Sequence, residues 1–246
     1  MKTIQEKLTF LAGERDITPW FKSLGFSTGV ISHVMKGAQP GTDLLAALAR
    51  TDRVDLDWLL LDKGVPYRVT RAMNDQYAIT AIDKLLQAED YGVAITHTAD
   101  DSNLGVILHR RTEYDFKDKS VDYTEAHVFV AGVSMATVHW LNEQGRGLWA
   151  LLLSEKDMQR LENGHMGNNE LFGFEDARKQ RPGLMSKVKP SPYKDSVNEV
   201  REPGTEYQVL DNGSQSMAMQ YQQLSTDNKN HVKAITEALL LSQKQQ

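Results

Sequence analysis

The chain has 246 residues, of which 40% are hydrophobic and 25% are charged, and this composition favours globular domains with packed cores. Cysteine is absent, which excludes disulfides, thiolate metal sites and cysteine nucleophiles and agrees with a cytoplasmic location. The most apolar short run, residues 148–153, is much shorter than the ~20 residues of a membrane-spanning helix. No apolar signal-peptide segment is expected at the N-terminus, and we expect no membrane partner.

The net charge of −5 is unevenly distributed along the chain. Residues 1–67 contain eight basic and eight acidic side chains, so the rest of the sequence supplies the whole acidic excess. Between Ile17 and Thr42 the only charged side chains are those of Lys22 and Lys36. A segment without carboxylates can approach phosphate groups without repulsion. The overall acidity therefore does not exclude a nucleic-acid ligand.

The N-terminal region has the apolar spacing and the cap residues of five short helices. We predict them over residues 4–12, 18–24, 28–36, 42–50 and 56–61. Thr18 and Ser27 are the expected N-caps of the second and third helices, with Pro19 at the first position of the second helix. Gly25 between these two helices can supply the positive φ of a tight turn.

Beyond residue 66 the pattern changes from helical spacing to alternating and β-branched runs. Residues 67–74 are polar and basic and predict a linker, followed by a helix over 75–88. Four strands are predicted over residues 92–98, 104–111, 126–133 and 148–153, and Ser154 with Asp157 predicts a capped helix to residue 162. The proline-containing region 163–205 predicts little regular structure. A hairpin over 206–221 and a helix from residue 226 complete the prediction.

The second and third predicted helices have the properties of a helix-turn-helix. With Gly25 as the turn, apolar side chains fall where the two helices would cross: Trp20, Leu24, Phe26, Ile31 and Val34. Short polar side chains point outward at the start of the third helix and one turn into it: Ser27, Thr28, Ser32 and His33. Such side chains can reach base edges in a DNA major groove. Lys22 and Lys36, on either side of them, would contact phosphates.

Two runs carry a resemblance to a known family. The sequence WFKSLGFSTGVISHVMKG from residue 20 and the sequence VDLDWLLLDKG from residue 54 resemble the phage CI-type repressor helix-turn-helix family, over about residues 3–66. The resemblance implies a compact helical domain that binds a palindromic operator as a dimer. Phe21 stands where this motif usually has alanine, so either the two helices splay apart or the register shifts by one residue.

The expected fold class is therefore an all-α N-terminal helix-turn-helix domain of five short helices, followed by an α+β C-terminal domain. The expected division is a DNA-binding domain over 1–66, a linker and helix over 67–90, and an oligomerisation or regulatory domain over 91–246. The chain is expected to act as a sequence-specific transcriptional repressor that maintains phage lysogeny in a bacterial host cell. Its expected partners are double-stranded operator DNA, a second copy of the chain or a higher oligomer, and an antirepressor protein.

Two alternatives depend on the second half of the chain. Gly132-Val133-Ser134-Met135 is similar to the nucleophile segment of LexA-like self-cleaving repressors, in which a downstream lysine, here Lys156 or Lys179, would activate Ser134. The segment lacks the acidic residue expected before the serine, so we predict no catalytic residue and no enzyme. The other alternative is a regulator whose C-terminal domain senses a ligand. The spacing of the histidines predicts no metal site, and we expect no cofactor.

Overall fold

The computed structural model describes residues 3–175 and 179–194, and their cap residues explain where most helices begin. Thr3 and Glu6 form a reciprocal capping box at the first helix, and Ser27, Asp55, Asn74 and Ser154 each accept a backbone N–H at the start of a later helix. The helices, in chain order, are α1 (Ile4–Ala12), α2 (Ile17–Ser23), α3 (Thr28–Met35), α4 (Thr42–Thr51), α5 (Leu56–Leu61), α6 (Asp75–Ala88), α7 (Met135–Glu143), α8 (Glu155–Glu162) and α9 (Asn168–Leu171).

Six of the described strands form one mixed sheet in the order β1-β4-β3-β2-β5-β8, and β6 pairs with β7 in a separate hairpin. The pairs β1–β4 and β2–β5 are parallel, and the other pairs are antiparallel. The strands are β1 (Thr70–Arg71), β2 (Gly92–His97), β3 (Leu104–Phe116), β4 (Lys119–Val130), β5 (Leu148–Leu152), β6 (Gly173–Glu175), β7 (Gln180–Pro182) and β8 (Lys189–Pro190).

The hydrophobic core has three parts. The first lies among α1–α5, the second joins one face of the sheet to α6 and α7, and the third covers the other face together with α8 and α9. Strands β3 and β4 extend beyond the other strands of the sheet. Residues 110–116 of β3 and 119–125 of β4 pair only with each other and form a two-stranded arm. Tyr114 and Phe116 at the end of this arm pack against the first core.

The arm corrects the fold class that the sequence predicts. The prediction of an all-α helix-turn-helix domain followed by an α+β domain is wrong, because the five N-terminal helices share their core with strand β3. The predicted linker over 67–74 is also part of this structure, since Tyr67 is buried and Thr70–Arg71 pairs with β4. The described residues all fall within one compact unit. The sequence boundaries 1–66, 67–90 and 91–246 themselves stay a prediction.

The junction between the helices and the sheet is made by a buried arginine. Arg53 donates from Nε to Asn168 Oδ1 at 2.7 Å and from Nη2 to the Met166 carbonyl at 2.9 Å. The Asn168 side chain in turn donates to the carbonyl oxygens of Thr51 and Thr124. Buried polar groups that satisfy each other in this way tie α4, α9 and β4 into one packed body.

Other differences from the sequence predictions are local. Asp16, not Thr18, precedes α2, and Pro19 lies within its first turn. Helix α7 was not predicted, and strand β4 ends at Val130 instead of residue 133. Short strands and turns occupy much of 163–194, where little structure was expected. The predicted hairpin over 206–221 and the helix from 226 lie outside the described residues.

Candidate nucleic-acid interface

The turn between α2 and α3 forms around Gly25, which has φ +89°, a conformation that side chains other than glycine rarely adopt. A Cβ at this position would lie 2.8 Å from Cδ1 of Phe116. Ser27 then caps α3 by accepting the Val30 backbone N–H at 3.5 Å. The sequence predicted this turn and this cap, and both are confirmed.

The inner faces of α2 and α3 are apolar and buried. The five predicted positions, Trp20, Leu24, Phe26, Ile31 and Val34, are each at most 6% exposed. The Trp20 indole donates to Asp52 Oδ2 at 3.0 Å, and Arg15 holds the same carboxylate at 2.9 Å. This pairing holds α2 against the C-terminal end of α4.

Phe21 is fully buried and does not disturb the predicted register. Its ring packs edge-on against Trp20 with centroids 4.8 Å apart, and its carbonyl accepts the Phe26 N–H at 3.0 Å. The large side chain therefore enters the core of the helical region, and the predicted turn is retained.

The outer face of α3 is open to solvent. All six predicted site residues have exposed side chains: Ser27, Thr28, Ser32, His33, Lys22 and Lys36. Gly29 and Val30, the latter 38% exposed, belong to the same surface and were not predicted. Val30 lies four residues before the buried Val34, so helical spacing alone would have placed it in the core. A methyl-bearing side chain here could contact a thymine methyl group.

The charges around α3 favour an anionic ligand. Within the described residues, neither Lys22 nor Lys36 has a carboxylate at ion-pair distance. The carboxylates that come just before α2 are neutralised, because Asp16 pairs with Lys179 at 2.9 Å and Glu14 pairs with Arg181. Lys179 and Arg181 are more than 160 residues distant in sequence, so no local pattern could have revealed this role.

The arm of β3 and β4 supports the turn that precedes α3. Phe116 packs on Phe26 with ring centroids 4.7 Å apart, and the Tyr114 hydroxyl donates to the Leu24 carbonyl at 3.1 Å. Lys117 follows directly, with its ammonium 5.2 Å from the Phe116 ring centroid. The arm therefore supports the turn, and its tip has charged side chains of both signs: Asp115, Lys117, Asp118 and Lys119.

Comparison of the chain with models of known protein families, with curated proteins and with solved structures found no match. Any function assigned to the surface of α3 therefore depends on its residues and their geometry.

The serine considered as a nucleophile caps a helix. Ser134 donates from Oγ to Asp75 Oδ2 at 2.7 Å and from its backbone N–H to Asp75 Oδ1 at 2.8 Å, at the start of α7. Partial burial acts to raise the pKa of Asp75, but hydrogen bonds from Thr137 and Ser134 outweigh it and hold the pKa below its usual value. An ionised Asp75 accepts hydrogen bonds from Ser134 and is a weak base. That the chain does not cleave itself stays a prediction.

The histidines of the sheet region have separate surroundings. His97 Nδ1 lies 2.9 Å from Asp101 Oδ1, His127 Nε2 lies 3.2 Å from the Tyr91 hydroxyl, and burial lowers the pKa of His109. Among residues 3–175 and 179–194, no group of three or more potential ligand side chains could hold a metal ion. No helix in the same residues has the length and apolar character to cross a bilayer.

Proposed function

We propose that this protein is a sequence-specific double-stranded DNA-binding transcriptional repressor that reads its operator with the outer face of α3. One observation carries the proposal: an exposed polar helix face, without carboxylates, lies between two exposed lysines that have no acidic partner among the described residues. The function agrees with the sequence resemblance to phage repressors, and its expected setting is the cytoplasm of a bacterial host.

Ser32 and His33 would supply base recognition. They lie one turn into α3, and a DNA major groove about 12 Å wide admits a helix whose short polar side chains reach base edges. Ser27 and Thr28 would contact bases or phosphates at the helix start. Lys22 and Lys36 would bind the sugar–phosphate backbone and release counterions.

A dimer would place two copies of α3 in successive major grooves, about 34 Å apart, on a palindromic operator. One copy has few side chains that reach bases, so its affinity alone would be low. Dimerisation makes the second half-site contact intramolecular and raises its effective concentration. Repression would follow from occupancy of the operator, and an antirepressor protein would relieve it.

Selection from a random duplex pool with the full chain tests the proposal, followed by gel-shift titration of the enriched sequence. Ser32→Ala and His33→Ala should each weaken specific binding by about 1–3 kcal/mol and leave binding to a scrambled duplex nearly unchanged. Thr80→Ala is the matched control, since Thr80 is an exposed helical hydroxyl on α6. Failure to enrich any sequence, or equal losses on both duplexes, would contradict the proposal.

A further inference from the structure

A cavity of about 660 Å³ lies between the C-terminal half of α4, the segment 65–70 and the strand β4. Its apolar walls include alanine and valine side chains. Its polar lining contains three arginines, one histidine and two carboxylates: Arg50, Arg53, Arg68, His127, Asp55 and Glu125. None of these residues belongs to the outer face of α3.

Arg53 is the buried member of this group. It is 3% exposed, and burial lowers its pKa to about 10, so the guanidinium remains charged at neutral pH. Its three hydrogen bonds go to Asn168 Oδ1 and to the carbonyl oxygens of Arg68 and Met166, at 2.7–2.9 Å. These bonds use three of the five N–H donors of a guanidinium. All three hydrogen-bond partners are neutral, and the negative charge of Asp52, which acts to raise the pKa of Arg53, does not offset the effect of burial. An anion at the two remaining donors would stabilise such a buried cation.

Arg50 and Arg68 are the exposed members. Arg68 donates to the Ala49 carbonyl, and the Arg50 guanidinium lies 4.9 Å from the centroid of the Tyr114 ring. Among the described residues, no carboxylate lies within ion-pair distance of Arg50, Arg53 or Arg68. Three guanidinium groups therefore line one concave surface, and none of them has a carboxylate at ion-pair distance among the described residues. Convergent positive charge on a concave wall concentrates anions.

The two carboxylates of the cavity are already engaged. Glu125 accepts a hydrogen bond from Arg110 Nε at 2.7 Å, on the neighbouring strand. Asp55 accepts the Asp57 N–H at 2.9 Å and the Trp58 N–H at 3.3 Å, as the cap of α5. Burial lowers the pKa of His127, although Glu125 acts in the opposite direction. A neutral His127 can then donate or accept one hydrogen bond at the cavity wall.

We propose that this cavity binds a small organic oxyanion, a metabolite that carries a phosphate or carboxylate group held by Arg50, Arg53 and Arg68. Guanidinium groups match the planar, bidentate geometry of both kinds of oxyanion. A DNA duplex is the less suitable occupant, since Arg53 is buried in the wall of the cavity. This proposal is independent of the proposed DNA binding, because anion binding to the cavity can be measured without DNA.

Isothermal titration of the full chain with pyrophosphate and, separately, with citrate at constant ionic strength tests the site. We expect saturable binding of at least one probe, and the stronger probe indicates whether phosphate or carboxylate is the natural group. The double variant R50M/R68M should bind at least tenfold more weakly. R146M is the matched control, because Arg146 pairs with the exposed Asp90 away from the cavity, and it should bind as the wild type does.

Nuclear magnetic resonance of the wild-type chain keeps the test decisive if the double variant fails to fold. Pyrophosphate or citrate should shift the Arg53 Nε–H and His127 resonances and leave those of His97 unchanged. Unsaturable titrations with no such shifts, or equal affinity in the wild type and a folded R50M/R68M, would overturn the proposal. Displacement of a bound probe by a short DNA duplex would assign the arginines to nucleic acid and would also overturn it.

Discussion

Lys36, at the C-cap of α3, is the residue whose proposed role is purely electrostatic. Its side chain is exposed and lacks an acidic partner among the described residues. Lys36→Ala should weaken binding to specific and scrambled duplexes alike and reduce the slope of log affinity against log salt by about 1, because one phosphate contact and its released counterion are lost. Gel-shift titrations at several salt concentrations measure this slope.

Lys63→Ala is the control for Lys36, since Lys63 is also exposed but lies beyond α5. Its salt slope should equal that of the wild type. A Lys36→Ala defect restricted to one base pair of the operator would show that Lys36 reads a base, which would contradict the phosphate role.

Asp75 joins two helices through one carboxylate, and its charge should stabilise the fold. The carboxylate accepts hydrogen bonds from the backbone and hydroxyl groups of both Ser134 and Thr137. Asp75→Asn should lower the free energy of unfolding by about 1–2 kcal/mol at pH 7, because the amide cannot accept four such donors and brings N–H groups of its own.

The pH dependence of this effect follows from the lowered pKa of Asp75. The stabilisation is complete above the unfolded-state pKa of about 4 and is lost as the pH falls through the lower folded-state pKa. The difference in the free energy of unfolding between the wild type and Asp75→Asn should therefore decrease below about pH 4. Urea unfolding at several pH values measures this difference. The control is Asp90→Asn, at a fully exposed carboxylate, which should have almost the same free energy of unfolding as the wild type at each pH. A constant difference at all pH values would contradict this role.

At the scale of elements, the arm of β3 and β4 supports the turn between α2 and α3. Gly25→Ala should destabilise the protein for two separate reasons: the positive φ of Gly25 and the approach of the new Cβ to Phe116 at 2.8 Å. Phe116→Ala alone should lower the free energy of unfolding by about 1–3 kcal/mol, since the ring packs on Phe26 and the first core.

A double-mutant cycle separates the two contributions. The variant Gly25→Ala/Phe116→Ala should lose less stability than the sum of the single variants, because removal of the ring relieves the steric contact and leaves only the backbone cost. Thermal and urea unfolding measure all three variants. Strict additivity would show that the Phe116 ring does not pack against Gly25 in solution.

At the scale of the whole molecule, the five N-terminal helices depend on residues from the rest of the chain. A fragment of residues 1–70 lacks Tyr114 and Phe116 from its core, and it leaves the buried Arg53 without Asn168 and Met166. The fragment should unfold at a markedly lower temperature than the full chain and should bind operator DNA far more weakly. Circular dichroism melting and gel-shift titration measure both. A fragment as stable as the full chain would restore the expected independent all-α domain.

The sequence alone determined the local elements with strong signals. Helices α1, α5 and α6 have the predicted bounds, because cap residues, glycine stops and apolar spacing act over a single turn. The exposed face of α3 was predicted for the same reason, since helical spacing orients Ser32 and His33 away from the buried Ile31 and Val34. Helix α7 is not predicted, although its N-cap Ser134 accepts the Ala136 backbone N–H locally. What the sequence does not show is that Asp75, from a distant helix, accepts hydrogen bonds from this cap residue.

Tertiary structure decided everything that depends on contacts between distant residues. The outer halves of β3 and β4 have polar, alternating sequences, and their arm packs on the helices through Tyr114 and Phe116. The neutralised carboxylates before α2 and the arginine-lined cavity likewise depend on side chains that are distant in sequence. Packing and Coulomb interactions depend on distance in space, so periodicity along the chain does not reveal which distant residues contact each other. That is why the sequence indicated the surface of α3, whereas the shared core and the cavity required the fold.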